Sequence, residues 1–218
     1  MEHLDKLILS LEMIGTFSFA ASGALKGLHK NTDLLGVILL GIIASTGGGI
    51  LRDLILGDTP PAAFRNPVYV ITACLVSLFV FVLEASIDRK THLIESVGIR
   101  HTFFLMDTLG LGIFTVMGVY SAWQMFGSDN PFLILFSGVV TGVGGGVIRD
   151  IIVNDLPYIF TKHIYATASL TGAVVCFLLI RSSHVQLGIW CGAGVIWLLR
   201  ILADYYHWNL PKIRDFDR

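Results

Sequence analysis

The chain has 218 residues, 54% of them hydrophobic and 14% charged, with a mean hydropathy of +0.74. A soluble domain of this length needs roughly 25% charged residues to cover its surface, so this composition excludes that class and leaves a compact helical membrane bundle. The formal net charge of −1 offers no basic surface for nucleic acid.

Seven apolar stretches follow in chain order, at residues 8–28, 34–57, 67–85, 101–123, 131–154, 163–181 and 187–205. Each is long enough to cross a hydrocarbon core roughly 30 Å thick. In the first, Ala20-Ala21-Ser22-Gly23-Ala24 resembles a signal-peptide cleavage site. Glu2 and Asp5 offset Lys6, however, and Glu12 interrupts the apolar run, so the segment reads as a mature membrane helix. The connection from Ala85 to Arg100 holds Asp88, Arg89, Lys90 and His92 and reads as aqueous. Cys74, Cys176 and Cys191 fall inside predicted helices without CxxC or Cys/His spacing, which makes them packing residues. The last stretch carries Trp190 near one end and Tyr205, Tyr206 and Trp208 at the other, as interfacial anchors. Its Arg200 and Asp204 are four apart, a spacing that predicts a local pair. This helix is assigned to packing, with no pore role.

Orientation follows from the loop cations. With the N-terminus outside, the inner side holds nine: Lys26, Lys30, Arg89, Lys90, Arg100, Lys162, Lys212, Arg214 and Arg218. The outer side holds three, Lys6, Arg65 and Arg181. The bias predicts an outside N-terminus and a cytoplasmic C-terminus.

One motif occurs twice. TGGGILRDLILGDTP at 46–60 lies over VGGGVIRDIIVNDLP at 143–157, 97 residues later, with eight identities in fifteen positions. The match runs backwards to FAASG at 19–23 over FTVMG at 114–118, and at that offset Glu12 lies over Asp107. Chance hydrophobic similarity would not align charged residues. The chain therefore reads as an all-α polytopic membrane protein of one membrane domain, 1–218, with two three-helix repeats at 8–85 and 101–181 and an extra helix at 187–205. A three-helix unit reverses side, so the second copy enters the membrane inverted, and such proteins place their functional site near the midplane between copies.

Gly47, Gly48 and Gly49 in the second stretch and Gly144, Gly145 and Gly146 in the fifth lie close to mid-membrane. Each glycine costs about 1 kcal/mol against alanine inside a helix, so each triplet is a weak point where a kink would leave carbonyls unpaired. Such breaks are tolerated only inside protein or beside water. Close helix packing is the plainer use of small residues. The charges that follow, Arg52-Asp53 and Arg149-Asp150, favour a pore or cavity, since intramembrane ionisable groups face a cavity or a partner. Neighbours in a helix do not face each other, so each is expected to find its partner elsewhere. Glu12, Asp53, Asp107 and Asp150 oppose Arg52 and Arg149, a formal −2 that favours cations. Ser45, Thr46 and Thr141 could supply further oxygens, while Asp58 and Asp155 read as anchors for the turns before Pro60 and Pro157.

The twin GGG-x-x-RD motifs, the helix plan and the DTPPAAFRNPVY loop resemble, over essentially the whole chain, the bacterial membrane proteins built from two glycine-transporter domains. These are similar in fold to the trimeric intracellular cation (TRIC) channels. The resemblance implies a homotrimer in the bacterial inner membrane, each protomer passing K⁺ or Na⁺ between its glycine-kinked second and fifth helices. The animal channels have a Lys-containing motif on the fifth helix; here that place reads GGGVIRD, so no role of that Lys is carried over. The family name supplies the alternative, a transporter for glycine or another small zwitterion, and both readings stay open. An enzyme is not expected: GVGGGV at 142–147 is not GxGxxG, and no phosphate loop or His-Glu-x-x-His spacing occurs. No cofactor is expected, and metal only as transient K⁺ or Na⁺. His3, His29, His92, His101, His163, His184 and His207 lie in loops, at span ends or in tails, as wet interfacial residues.

Overall fold

Asp33 and Asn130 lie 97 residues apart and do the same work. Each side chain accepts a hydrogen bond from the amide three residues on, Gly36 at 2.8 Å and Leu133 at 3.0 Å, and so starts a helix. The two helices also end alike. Gly57 adopts a left-handed φ of 77° and its counterpart Asn154 one of 56°, conformations that suit glycine and asparagine. The chain then turns back, with the amides of Asp58 and Asp155 bonded to the carbonyls of Asp53 and Asp150 at 2.9 Å.

The computed structural model describes residues 2–86, 92–161 and 164–208. All regular structure among them is helical: α1 Glu2–His29, α2 Leu34–Leu56, α3 Ala62–Arg65, α4 Val68–Ser86, α5 His92–Phe126, α6 Pro131–Ile152, α7 Tyr158–Thr161, α8 Ala166–Arg181 and α9 Val185–Tyr205. Six of these, α1, α2, α4, α5, α6 and α9, are long and apolar enough to cross a membrane. The stretch expected at 163–181 forms α8, whose 16 residues extend only about 24 Å. The connection expected as aqueous from 85 to 100 is helical from His92 onward; without a proline there, the ladder runs on past the apolar run. The short α3 and α7, one after each motif, were not expected. Arg89, Lys90, Lys162, His163, Lys212, Arg214 and Arg218 lie outside the described residues.

The interior is built around α5 and α1. α5 has 72% of its apolar window buried, whereas α4, on the periphery, has 22%. Phe19 of α1 packs on Phe114 of α5 with ring centroids 5.4 Å apart. α8 and α9 meet through Gly172 and Gly192, where an added Cβ on either would press on the other's carbonyl oxygen at 2.6 and 2.9 Å. Large apolar side chains such as Leu75, Phe79, Phe132 and Leu198 are exposed, as a lipid-facing surface requires.

The expected helix breaks are not present: α2 and α6 are helical without interruption through both triplets. The glycines serve close packing instead. A Cβ on Gly48 would land on the carbonyl oxygen of Thr141, and a Cβ on Gly145 on that of Ala44. The backbones of Gly47 and Gly144 approach Gly145 and Gly48 in the same way. Higher numbers on α2 meet lower numbers on α6, so the two helices cross antiparallel, and each contact has its counterpart 97 residues away. Gly49 differs, with nothing within 4 Å of an added Cβ.

Gly48→Ala and Gly145→Ala should each destabilise the protein by about 1–3 kcal/mol, because a methyl there must push two backbones apart. Gly49→Ala should leave stability unchanged or slightly raised. Thermal unfolding in detergent distinguishes them; equal melting temperatures for all three would refute the packing role.

Candidate functional site

The residues singled out in the sequence separate into an open set and a closed one. The open set lines a small, half-open cleft. Glu12 and Thr16 of α1, Ser45, Thr46, Gly49, Arg52 and Asp53 of α2, Tyr69 of α4 and Thr141 of α6 all border it. Four hydroxyls here donate to carbonyls of their own helices: Thr16 to Glu12 at 2.8 Å, Ser45 to Gly41 at 2.8 Å, Thr46 to Ile42 at 2.7 Å and Thr141 to Ser137 at 2.6 Å. A hydroxyl that has spent its proton can offer only lone pairs to a visitor. Glu12 accepts a hydrogen bond of 2.5 Å from the Tyr69 hydroxyl.

Adjacent Arg and Asp were expected to part, and they do not. Arg52 Nε donates to Asp53 Oδ1 at 2.8 Å, and Arg149 Nε to Asp150 Oδ1 at 2.9 Å. The arginine stem is long enough to fold back across the angle between neighbouring positions. Each aspartate uses its second oxygen to cap a short helix. Asp53 Oδ2 accepts from the Ala62 amide of α3 at 2.8 Å, and Asp150 Oδ2 from the Tyr158 amide of α7 at 3.3 Å. The Arg-Asp step thus ties the end of each glycine helix to the loop that follows it. Arg52 bonds Asp53 through Nε and borders the cleft.

The closed set surrounds Arg149, which is 0% exposed. Its Nη1 donates to Asp107 Oδ1 and to Ser22 Oγ, both at 3.0 Å, and its guanidinium lies 4.9 Å from the Phe103 ring centroid. Asp107 is shared, because Arg200 Nη2 reaches its other oxygen at 3.3 Å while Arg200 Nε reaches Thr108 Oγ1 at 3.3 Å. The Arg200 guanidinium also lies 4.6 Å from the Tyr165 ring centroid. The local Arg200–Asp204 pair expected from spacing is therefore replaced: Arg200 is buried on Asp107 and Asp204 is exposed. A charge inside the bundle gains more from a dry carboxylate than from a wet one. Asp107 pairs with the arginine of its own copy, and only Ser22 reaches Arg149 from the first.

Below this cluster Lys26 Nζ stands 3.8 Å from Asp150 Oδ1 and 2.8 Å from Asp155 Oδ2. Lys26 first and Lys30 second hold the Asp155 carboxyl below the usual carboxylate range. Asp58 pairs with Arg65, so both turn aspartates anchor their loops, as expected. The acidic excess counted from the sequence changes once Arg200 and Lys26 join the buried set, since two more cations cancel the formal −2. What remains acidic is the cleft, where Glu12 and Asp53 face only Arg52. Arg200, Lys26, Ser22, Tyr69 and Tyr165 were missed. Arg200 and Tyr69 stand inside predicted spans, and an intramembrane arginine was the signal available for the first. Nothing in the sequence marked Ser22 or Tyr165.

Antiparallel glycine helices, each ending in an Arg-Asp step that caps a short loop helix, define a polytopic helical membrane protein with a charged cleft and a buried charge cluster among the described residues. The model of the glycine transporter family matches residues 9–85 and again 104–181, and the chain belongs to that family. It is 37% identical to a membrane protein of Deinococcus radiodurans over 78% of this chain and 74% of that one. It is 32% identical to the inner membrane protein YadS of Escherichia coli over 94% and 95%. Among solved structures it is similar to a TRIC cation channel studied for conductance, at 35% identity and a TM-score of 0.81 over 95% of this chain and 98% of that one. A prokaryotic TRIC channel matches at 33% identity and 0.83, over 94% and 99%. The trimeric orthologue from Rhodobacter sphaeroides matches at 30% identity and 0.82, over 93% and 99%. The chain is a TRIC-like bacterial membrane protein.

Asp107→Asn should cost about 3–5 kcal/mol, because it leaves two buried guanidinia without their shared carboxylate. Denaturation in detergent measures this, and a loss under about 1 kcal/mol would show that the pairs are not what holds the interior. Asp155, with its lowered pKa, contributes stability that is complete above the ordinary carboxylate range and is lost as pH falls through its depressed value. The melting difference between wild type and Asp155→Asn should be present at neutral pH and vanish in strong acid.

Proposed function

We propose that the protein is a passive channel for monovalent cations, K⁺ and Na⁺, with one path in each protomer running through the cleft beside the α2–α6 crossing. The observation that carries the reading is the lining. Two carboxylates face one guanidinium, and four hydroxyls have committed their protons elsewhere, so the wall offers several weak oxygen sites to a cation. The TRIC neighbours, described as cation channels, support it. In this reading Glu12 and Asp53 set the charge preference, and Ser45, Thr46 and Thr141 replace part of the hydration shell. Gly49 leaves the space open, and the other glycines of the two triplets hold α2 and α6 together beside the path. Arg149, Asp150 and Asp107 lie outside this cleft and brace the crossing from its far side.

The same reading includes seven spanning helices, with α8 as the sixth, arranged as inverted repeats at 8–85 and 101–181 followed by 187–205. It also includes a homotrimer in the bacterial inner membrane, with the N-terminus outside and the C-terminus cytoplasmic. One observation favours the transporter alternative: Arg52 and Glu12 border the same cleft, so a carboxylate and an ammonium of one zwitterion such as glycine could each find a partner there. A channel conducts without glycine, whereas a transporter shows saturable uptake.

Planar-bilayer recording in asymmetric KCl without glycine should show unitary currents reversing near the K⁺ potential. Gly49→Leu should abolish them while the protein still elutes and melts like wild type. Glu12→Gln or Asp53→Asn should weaken the preference for cations over anions. Silent bilayers together with saturable glycine uptake by liposomes would replace the channel with the transporter.

A further inference from the structure

The two motifs carry the same three groups beyond their glycines. Glu12, Arg52 and Tyr69 in the first half match Asp107, Arg149 and Tyr165 in the second, the tyrosines within FRNPVY and FTKHIY. Their pairing is not the same. In the first set the acid is bonded to the phenol, Tyr69 to Glu12 at 2.5 Å, and Arg52, bonded to Asp53, borders the cleft. In the second the acid is bonded to the guanidinium, Asp107 to Arg149 at 3.0 Å, and the phenol is left over. The Tyr165 hydroxyl is buried without a hydrogen-bond partner among the described residues, as is Arg149 Nη2. Both atoms lie beside Gly146, at 3.3 and 3.6 Å from where its Cβ would stand. Gly146 is the counterpart of Gly49, the glycine that opens onto the cleft.

We infer that acid, guanidinium and phenol form a two-position latch in each half: acid on phenol opens a cleft at the third glycine, and acid on guanidinium closes it. The structure holds the first latch open and the second shut. Arg200 of α9 keeps the second shut by occupying the other oxygen of Asp107 at 3.3 Å. Moving Asp107 from Arg149 to Tyr165 gives the orphan hydroxyl an acceptor and turns the freed guanidinium toward Gly146, so a second cleft appears on the far side of the α2–α6 crossing. The closed pairing leaves the Tyr165 hydroxyl without an acceptor, and the open pairing supplies one. This latch goes beyond the conduction reading and does not depend on which solute enters.

Its test is therefore accessibility, not current. With Cys74, Cys176 and Cys191 replaced by alanine, single cysteines are placed at Thr46, which lines the open cleft, and at Val143, its counterpart. A small charged methanethiosulfonate reagent should modify Thr46→Cys readily and Val143→Cys slowly. Asp107→Asn should speed modification of Val143→Cys at least tenfold, and Arg200→Gln should speed it to a smaller degree. Tyr69→Phe frees Glu12 to take Arg52, so it should slow modification of Thr46→Cys several-fold, with Tyr165→Phe leaving that rate unchanged. Should Asp107→Asn fail to fold, the Tyr69→Phe arm decides by itself. Unchanged rates at Thr46→Cys on loss of the Tyr69 hydroxyl would overturn the latch, as would unchanged rates at Val143→Cys in a folded Asp107→Asn protein.

Discussion

The contact on which the other features depend is that of two helix backbones at mid-chain, where α2 and α6 touch with no side chain between them. Gly48 rests on the Thr141 carbonyl and Gly145 on that of Ala44. In lipid there is little hydrophobic force to draw helices together, so association rests on close packing and hydrogen bonds, and only a glycine allows this approach. The crossing fixes where Arg52 and Arg149 emerge, one turn further along each helix and on opposite sides of the contact. It also explains why the glycines come with charges: the helix end that is pressed against its partner must be tied to its loop by the Arg-Asp step.

Duplicated chemistry has been put to two uses. Around Arg52 few groups converge, and the cleft stays open with oxygen-rich walls. Around Arg149 the packing of α5, α8 and α9 excludes space, and two arginines share Asp107 with Ser22, Thr108 and three aromatic rings close by. Guanidinium is the cation that suits such a place, because it is weakly hydrated and can lie flat against a ring while still bonding a carboxylate. A lysine would lose more solvation than it regained. One cluster is packed shut behind the crossing, and the other borders a cleft.

Much of this was legible before any coordinate. Hydropathy located the long helices, although α1 and α5 begin six and nine residues before the expected starts, and the repeat identified Glu12, Asp107 and both Arg-Asp pairs as counterparts, because charge in an apolar segment is rarely accidental. The errors share one cause. Helical geometry says that neighbours point apart and that residues four apart meet, which is true of Cβ directions and not of long, flexible arginines. Arg52 and Arg149 reached back to the next residue, and Arg200 ignored Asp204 for Asp107 across the bundle. The glycine triplets were read as breaks for a related reason: helix propensity is a property of an isolated helix, whereas here a second backbone supports each one.

Composition, hydropathy and an internal match with eight identities in fifteen positions determined by themselves that this is a helical membrane protein with two equivalent halves and intramembrane charges. Tertiary structure alone decided which of those charges border a cleft and which are packed shut. Tyr69 sits on α4, at the edge of the bundle, and Tyr165 at the start of α8, against α5 and α9, so equivalent tyrosines meet different neighbours. Burial and pairing are set by what the other helices bring to a site, and that information lies nowhere within the site's own sequence.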